Sequence, residues 1–502
     1  MGPSGAAQVG MSKRVVIVGG GTAGWLAALI LSRAPGRRVT VVESSRIPTI
    51  GVGEGTTAVF RHMLKHLGLD ERKFIAETGA TVKYGIRHRD WRRKGHSYDG
   101  PIDEIAQVAG QGLDLYAVAS GRPVGEAHLF RHLMEKRRAP YAEVKGREVA
   151  AGPFHFAYHF DQAKAGAWLK SQASGITLVD DVVEGLERDG ETGSVKGLRL
   201  ESGQVLEGDV FLDCTGFRRA LIGPMGAEWQ SYSDTLPVNR AMPFWIDLKP
   251  GEEIDPLTLA WAQGAGWMWK IPTSDRYGCG YVYSDAHTSP DEARAEIETA
   301  LGHAIEPRND IRIDAGRLKD AWIGNVIALG LSSSFLEPLE ATSIHGTVVQ
   351  CMWLDRWLDD PKGRDHYNAA VARQVDDFRD FIRLHYVSER NDTPFWRDVA
   401  ASHPQTLRDR LAAWQTRMPE RRDFTTLPGN FPHVQEQLYI PVLDGLGLLN
   451  RAAAKEALSR DPKRRATLRK THEQLTKDYT RAAGKCLPHR AWLSSLTKEM
   501  AA

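Results

Sequence analysis

The densest chemical signal in the chain is Gly19-Gly20-Gly21-Thr22-Ala23-Gly24, set between the apolar run Val15 to Val18 and the helix-like stretch Trp25 to Leu31. In this Gly-x-Gly-x-x-Gly pattern each glycine has its own physical job. Gly19 permits a tight turn, Gly21 lets the backbone approach a pyrophosphate met by helix N–H groups, and Gly24 lets the helix pack closely on the strand. Thr22 and Ala23 complete the cofactor loop. A second strand-like run, Val39 to Val42, ends at Glu43, where a carboxylate accepts hydrogen bonds from a ribose diol and repels a 2′-phosphate. Strand, glycines, helix, strand and acid in that order predict a dinucleotide site for FAD or NAD rather than NADP. No second pattern of this kind follows, as expected of a chain that does not reduce its own flavin. Asp213-Cys214-Thr215-Gly216, after Val210 to Leu212, is either a plain turn or a strand end against which a flavin can lie.

These residues need elements to position them. The first βαβ unit is legible, but strand and helix do not alternate cleanly beyond it, so a simple doubly wound sheet does not account for the rest. Strand-like runs recur at Ile176 to Val179, Tyr281 to Tyr283 and Val326 to Leu329, and Phe160 to Ser171 reads as helix. From Ser343 onward the pattern is mostly helical, including Asp376 to Arg383 and, broken at Pro462, Arg451 to Lys470. The expected fold is α/β, a Rossmann-like FAD-binding module of the flavin monooxygenase type. The expected divisions are a disordered tail over 1–10, the FAD module with inserted substrate-side elements over 11–345, and a mostly helical substrate-covering region over 346–502.

Composition narrows the classes. With 65 Lys and Arg against 63 Asp and Glu, the near-zero charge argues against a nucleic-acid binder. The basic cluster Arg87, Arg89, Arg92, Arg93 and Lys94 around Trp91 is read as an ordinary exposed loop. Four cysteines without C-x-x-C spacing suggest neither a disulfide framework nor a metal site. No apolar stretch reaches membrane-spanning length and the start lacks a secretory h-region, so a cytoplasmic protein without membrane association is expected. A homodimer is the commonest assembly for such a chain.

Four further strings carry a resemblance: Gly19 to Trp25, Gly51-Val52-Gly53-Glu54-Gly55-Thr56, Trp267-Met268-Trp269-Lys270-Ile271-Pro272, and Phe335 to Ser343 with its Glu337-Pro338-Leu339-Glu340 core. Together they resemble the flavin-dependent tryptophan halogenases over most of the chain, the Trp-x-Trp-x-Ile-Pro string most specifically. The resemblance implies that a separate flavin reductase supplies FADH2, and that O2 and chloride or bromide then yield hypohalous acid, which travels through a tunnel to halogenate a small aromatic substrate. It assigns Lys83 as the catalytic lysine, Glu340 as the essential glutamate, and Gly53 and Leu329 as further cofactor contacts. Thr342 and Ser343 become the halide site, on backbone N–H groups at a helix start; Ser343 stands where relatives typically have glycine. Trp267 and Trp269 are read as architecture keeping substrate from flavin.

Two rivals remain at this point: an aromatic hydroxylase using the flavin directly, and a FAD-binding protein without halogenation. Leu331 stands where hydroxylases usually carry an acid. For the substrate, Phe395, Trp396 and Tyr439 are available to sandwich a ring, although core packing explains each equally well. The segment Asn430 to Leu449 lacks the paired tyrosines and following Phe-Trp with which relatives grip free tryptophan. That favours indole, or a larger indole derivative, over the amino acid.

Overall fold

The computed structural model describes residues 12–47, 53–102, 112–152, 154–431 and 433–501. The proposed tail over 1–10 and the first two residues of the Gly51 string lie outside these. The Gly-rich unit forms where the sequence places it. Lys13–Val18, Thr22–Leu31 and Arg37–Glu43 make strand, helix and strand. The two strands pair in parallel within a six-stranded sheet ordered Thr177–Asp180, Arg37–Glu43, Lys13–Val18, Val210–Asp213, Val326–Ala328, Trp322–Ile323. Only the last pairing is antiparallel. Both faces of the central strands are covered, so Val15, Ile17, Phe211 and Leu212 are fully buried and read as unbroken apolar runs.

A second, seven-stranded sheet explains why alternation fails in the middle of the chain. Its order is Ile311–Arg312, Arg240–Asp247, Arg276–Tyr283, Gly266–Pro272, Leu257–Ala262, Gly85–Arg89, Ser97–Pro101, and its one parallel pairing joins Leu257 and Gly85. Trp267 and Trp269 occupy alternate positions of Gly266–Pro272 and both enter the main core, while Met268 faces a separate cluster. Room for the second ring comes from the neighbouring strand: a Cβ at Gly280 would lie 2.0 Å from the Trp269 ring.

A small third sheet places Gly53–Gly55 and Thr81–Lys83 on either side of Ala157–Asp161, all antiparallel. The helix expected from Phe160 is displaced: the strand runs to Asp161, whose side chain caps the helix Gln162–Ser171 by accepting from the N–H groups of Ala163 (2.9 Å) and Lys164 (3.2 Å). The C-terminal part is helical, with Thr342–Trp357, Gly363–His385, Arg451–Ser459 and Pro462–Lys485 among its elements. The division expected at residue 345 falls inside Thr342–Trp357, which packs on Thr22–Leu31, so no linker marks it. Trp91 is fully buried, and the surrounding cations are met by Asp99, Glu389 and Asp392. Among the described residues no helix is long and apolar enough to cross a membrane. Replacing Gly280 with Ala overpacks the Trp269 ring and is expected to cost ~1–3 kcal/mol; equilibrium denaturation of G280A checks this, a stability loss being the expected result.

Candidate active site

The cofactor loop meets the physical demands of its sequence one residue at a time. Gly19 sits at φ +116°, where a Cβ would come 2.3 Å from the Cys214 carbonyl oxygen, and a Cβ at Gly24 would come 1.9 Å from the Gly19 carbonyl oxygen. At Gly21 a Cβ would meet nothing within 4 Å, so this backbone is open to an approaching group. Beside it the Thr22 hydroxyl is buried without a protein partner at the start of the helix. An open glycine and an orphaned hydroxyl at a helix N-terminus fit the diphosphate of FAD. Glu43 lies at the strand end, ion-paired to Lys170 and accepting from Trp25 Nε1 at 3.3 Å. The Asp213 turn has its own structural cause. The buried carboxylate accepts from the N–H groups of Thr215, Leu221 and Ile222 and from the Ser332 hydroxyl, binding the ends of two parallel strands. Leu329 corrects the reading: its side chain is fully buried in the core, and Leu331 reaches the cavity instead.

That cavity is lined by Gly53, Trp269, Leu331, Phe335 and Lys83. Lys83 ends its strand at 1% exposure, and burial brings its ammonium down to about 8 while the Glu340 charge pulls the other way. Any Cβ at Gly55 would stand 2.9 Å from Lys83 Nζ, so a glycine in the Gly53 string gives the amine its space. The strand is held from two sides. The Thr81 hydroxyl donates to the Pro272 carbonyl at 2.7 Å, and the Val82 N–H donates to His489 Nε2 at 3.1 Å. Thr342 and Ser343 open the helix Thr342–Trp357 after Ala341 at φ +54°, with no side-chain cap on their N–H groups, and both line the same cavity.

Glu340 faces a different chamber, lined by Val59, Ile102, Phe378, Phe381, Val434 and His433. Pro338, Leu339 and Ala341, its neighbours in the chain, line the Lys83 cavity, and Thr342 touches both. The segment 338–342 is thus a wall one residue thick. Burial alone would raise the Glu340 carboxyl, but His385 and His88 override it and hold the group down at about 2. Its Oε1 lies 2.9 Å from His385 Nε2 and 3.2 Å from His88 Nε2. Sequence reasoning missed both histidines, which are separated by nearly 300 positions and share no motif.

It also missed Glu337. This carboxylate is 1% exposed and accepts from Trp267 Nε1 at 2.7 Å and the Tyr386 hydroxyl at 2.6 Å. Burial pushes it up to about 7 against those two bonds. Two of the family strings are therefore physically joined, Trp267 of one to Glu337 of the other. Phe395, Trp396 and Tyr439 are corrected. Trp396 donates Nε1 to the Gln263 carbonyl at 2.8 Å and packs with Phe395 on Tyr386, while Tyr439 packs on Phe381 and Phe424. All three are buried core residues and none lines the chamber.

The fold and the cofactor loop define a flavin-type dinucleotide-binding enzyme, with two chambers that meet at the 338–342 segment. The chain matches the model of the tryptophan halogenase family over residues 14–461, and it belongs to that family. It is 36% identical over 483 residues to 7-chloro-L-tryptophan 6-halogenase KtzR of Kutzneria sp. (strain 744), covering 89% of this chain and 92% of the relative. Among solved structures, tryptophan halogenase from Shewanella frigidimarina superposes with a TM-score of 0.88 at 26% identity, covering 97% of this chain and 99% of that one. BrvH, a flavin-dependent halogenase from Brevundimonas sp. BAL3, gives a TM-score of 0.82 at 31% identity, covering 96% and 99%. The protein is a flavin-dependent halogenating enzyme, which sets aside the hydroxylase and the non-halogenating reading.

Glu337 yields a pH prediction. A carboxyl raised above its unfolded value binds its proton more tightly in the folded state, so its contribution to stability falls as pH rises from about 4.5 to about 7. Glu337→Gln removes this term. The stability of the variant relative to the parent should increase across that window and level off above it, as measured by urea denaturation at stepped pH; a difference independent of pH contradicts the assignment.

Proposed function

We propose that the enzyme halogenates an electron-rich indole lacking a gripped amino-acid head, with Lys83 delivering the halogen and Glu340 receiving the ring proton. When bound, FADH2 from a separate reductase supplies, with O2 and chloride or bromide, hypohalous acid on the Lys83 side of the wall. Halide fits the uncapped Thr342 and Ser343 N–H groups, whose helix end is electropositive. Lys83, buried and charged below about 8, donates hydrogen bonds to hypohalous acid and raises the electrophilicity of its halogen. A carboxylate kept ionised on the substrate side takes up the proton that the halogenated ring must lose. The placement of Lys83 and Glu340 on the two sides of the 338–342 wall carries this reading.

Substitution Lys83→Ala is expected to lower halogenation at least ~100-fold while FAD affinity, measured by fluorescence titration, stays unchanged. Product formation at the parent rate would refute the role of the amine. For substrate, the chamber offers apolar side chains with Glu340 and histidines, and among the described residues no Lys or Arg lines it to meet a free carboxylate. Indole should therefore show a kcat/KM at least ~10-fold above that of tryptophan, ~1.4 kcal/mol in transition-state binding, in a mass-spectrometric turnover assay; the reverse order overturns the assignment.

A further inference from the structure

His385 and His88 surround Glu340 in a way the halogenation chemistry does not require. His385 Nδ1 lies 3.0 Å from the Phe381 carbonyl oxygen. A carbonyl only accepts, so Nδ1 carries a hydrogen and Nε2 is the position left to take a proton or a metal ion. That position faces Glu340 Oε1, an acceptor, from 2.9 Å. His88 Nε2 approaches the same oxygen at 3.2 Å. None of these contacts is aligned as a hydrogen bond, and Glu340 Oε1, His385 Nε2 and both His88 nitrogens are buried without a hydrogen-bond partner. Three electron-pair donors from three elements, all within 4.8 Å of one another, thus face a common point that calls for positive charge.

A proton shared between Glu340 and His385 answers one of these contacts and leaves His88 unserved. A divalent cation answers all three. We propose that His88, His385 and Glu340 form a binding site for a divalent transition-metal ion, with Zn2+ the best match to two imidazoles and a carboxylate. The Nδ1–H bond from His385 to a main-chain carbonyl is the outer contact that ordinarily fixes an imidazole for Nε2 ligation. His88 is held in place by stacking on Tyr98, with centroids 4.6 Å apart and planes at 12°, and His385 packs edge-on against Trp91. Glu340 opens the site to the substrate chamber, which supplies the metal's entry path and its fourth coordination position. Resting on the proposed role of Glu340, the consequence is inhibition: a metal on Oε1 withdraws the carboxylate from the ring proton.

The test is calorimetric titration of EDTA-treated full-length protein with Zn2+, together with visible absorption on Co2+ addition. His62 and His155, 3.1 Å apart in the lining of the same chamber, are a second place for zinc, so His62→Ala serves as the background. One equivalent of Zn2+ is expected in that background, with the intense Co2+ bands of four-coordinate geometry. Affinity should fall roughly 100-fold or more in His88→Gln and in His385→Asn. His88→Gln and the Co2+ spectrum of the unsubstituted site keep the test decisive if His385→Asn does not fold. No uptake, uptake lost in His62→Ala alone, or parental affinity retained in both histidine variants overturns the site. Zinc that binds as expected without slowing halogenation leaves the metal site standing and overturns the role of Glu340. Zinc that fails to bind while Glu340→Gln is inactive does the reverse.

Discussion

The Glu337 carboxylate ties together the segments that surround the two chambers. It stands at the head of the segment that separates the two chambers, and it accepts from an indole N–H on the antiparallel sheet and from a phenol on the C-terminal helices. Three units distant in sequence meet on one buried group. Keeping a carboxylate there is costly, since burial raises it to about 7, and two strong donors are what make it tolerable. With Glu337 fixed, the chain turns at once, the Leu339 N–H donating to the Glu337 carbonyl at 2.8 Å, and this turn sends Pro338 and Leu339 to one cavity and Glu340 to the other. The Trp-x-Trp string is thus a hydrogen-bonded brace for the segment between the two chambers.

The same burial sets the two candidate reactive groups apart. Desolvation brings the Lys83 ammonium down toward neutrality, whereas histidine neighbours hold Glu340 ionised in an equally dry place. An amine near its titration point and a carboxylate far from its own are the environments expected where one group handles an electrophile and the other accepts a proton. Neither property belongs to the residue alone. The first follows from a short antiparallel strand that carries Lys83 inward, the second from His385 and His88, which the fold brings to Glu340.

Much of the cofactor half was legible because its signals are local. Apolar runs of strand length, glycines at fixed spacing and an acid at a strand end sit within about 30 residues, and the helical C-terminal half was legible from its periodicity and the break at Pro462. The Asp161 cap, which moves a helix start by two residues, is a local signal that was available and overlooked. What stayed hidden depends on distant pairing. Nothing in the sequence distinguishes Glu337 from an exposed acid before a proline, and His88 and His385 meet only through the fold. Phe395, Trp396 and Tyr439 were misplaced because residue type says that an aromatic ring will be buried without saying whether it faces a core or a chamber. Glycines proved the most informative residues for close approach: those at 24, 55 and 280 each make room for a named neighbouring atom.

The account stands on spatial separation between the place where the oxidant is made and the place where the ring is halogenated. A crystal structure with FAD and indole bound together tests it directly. The indole should lie in the chamber of Phe378 and Phe381 beside Glu340, with the 338–342 segment and Lys83 between it and the isoalloxazine. An indole stacked on the isoalloxazine, in the cavity lined by Trp269 and Leu331, would contradict it.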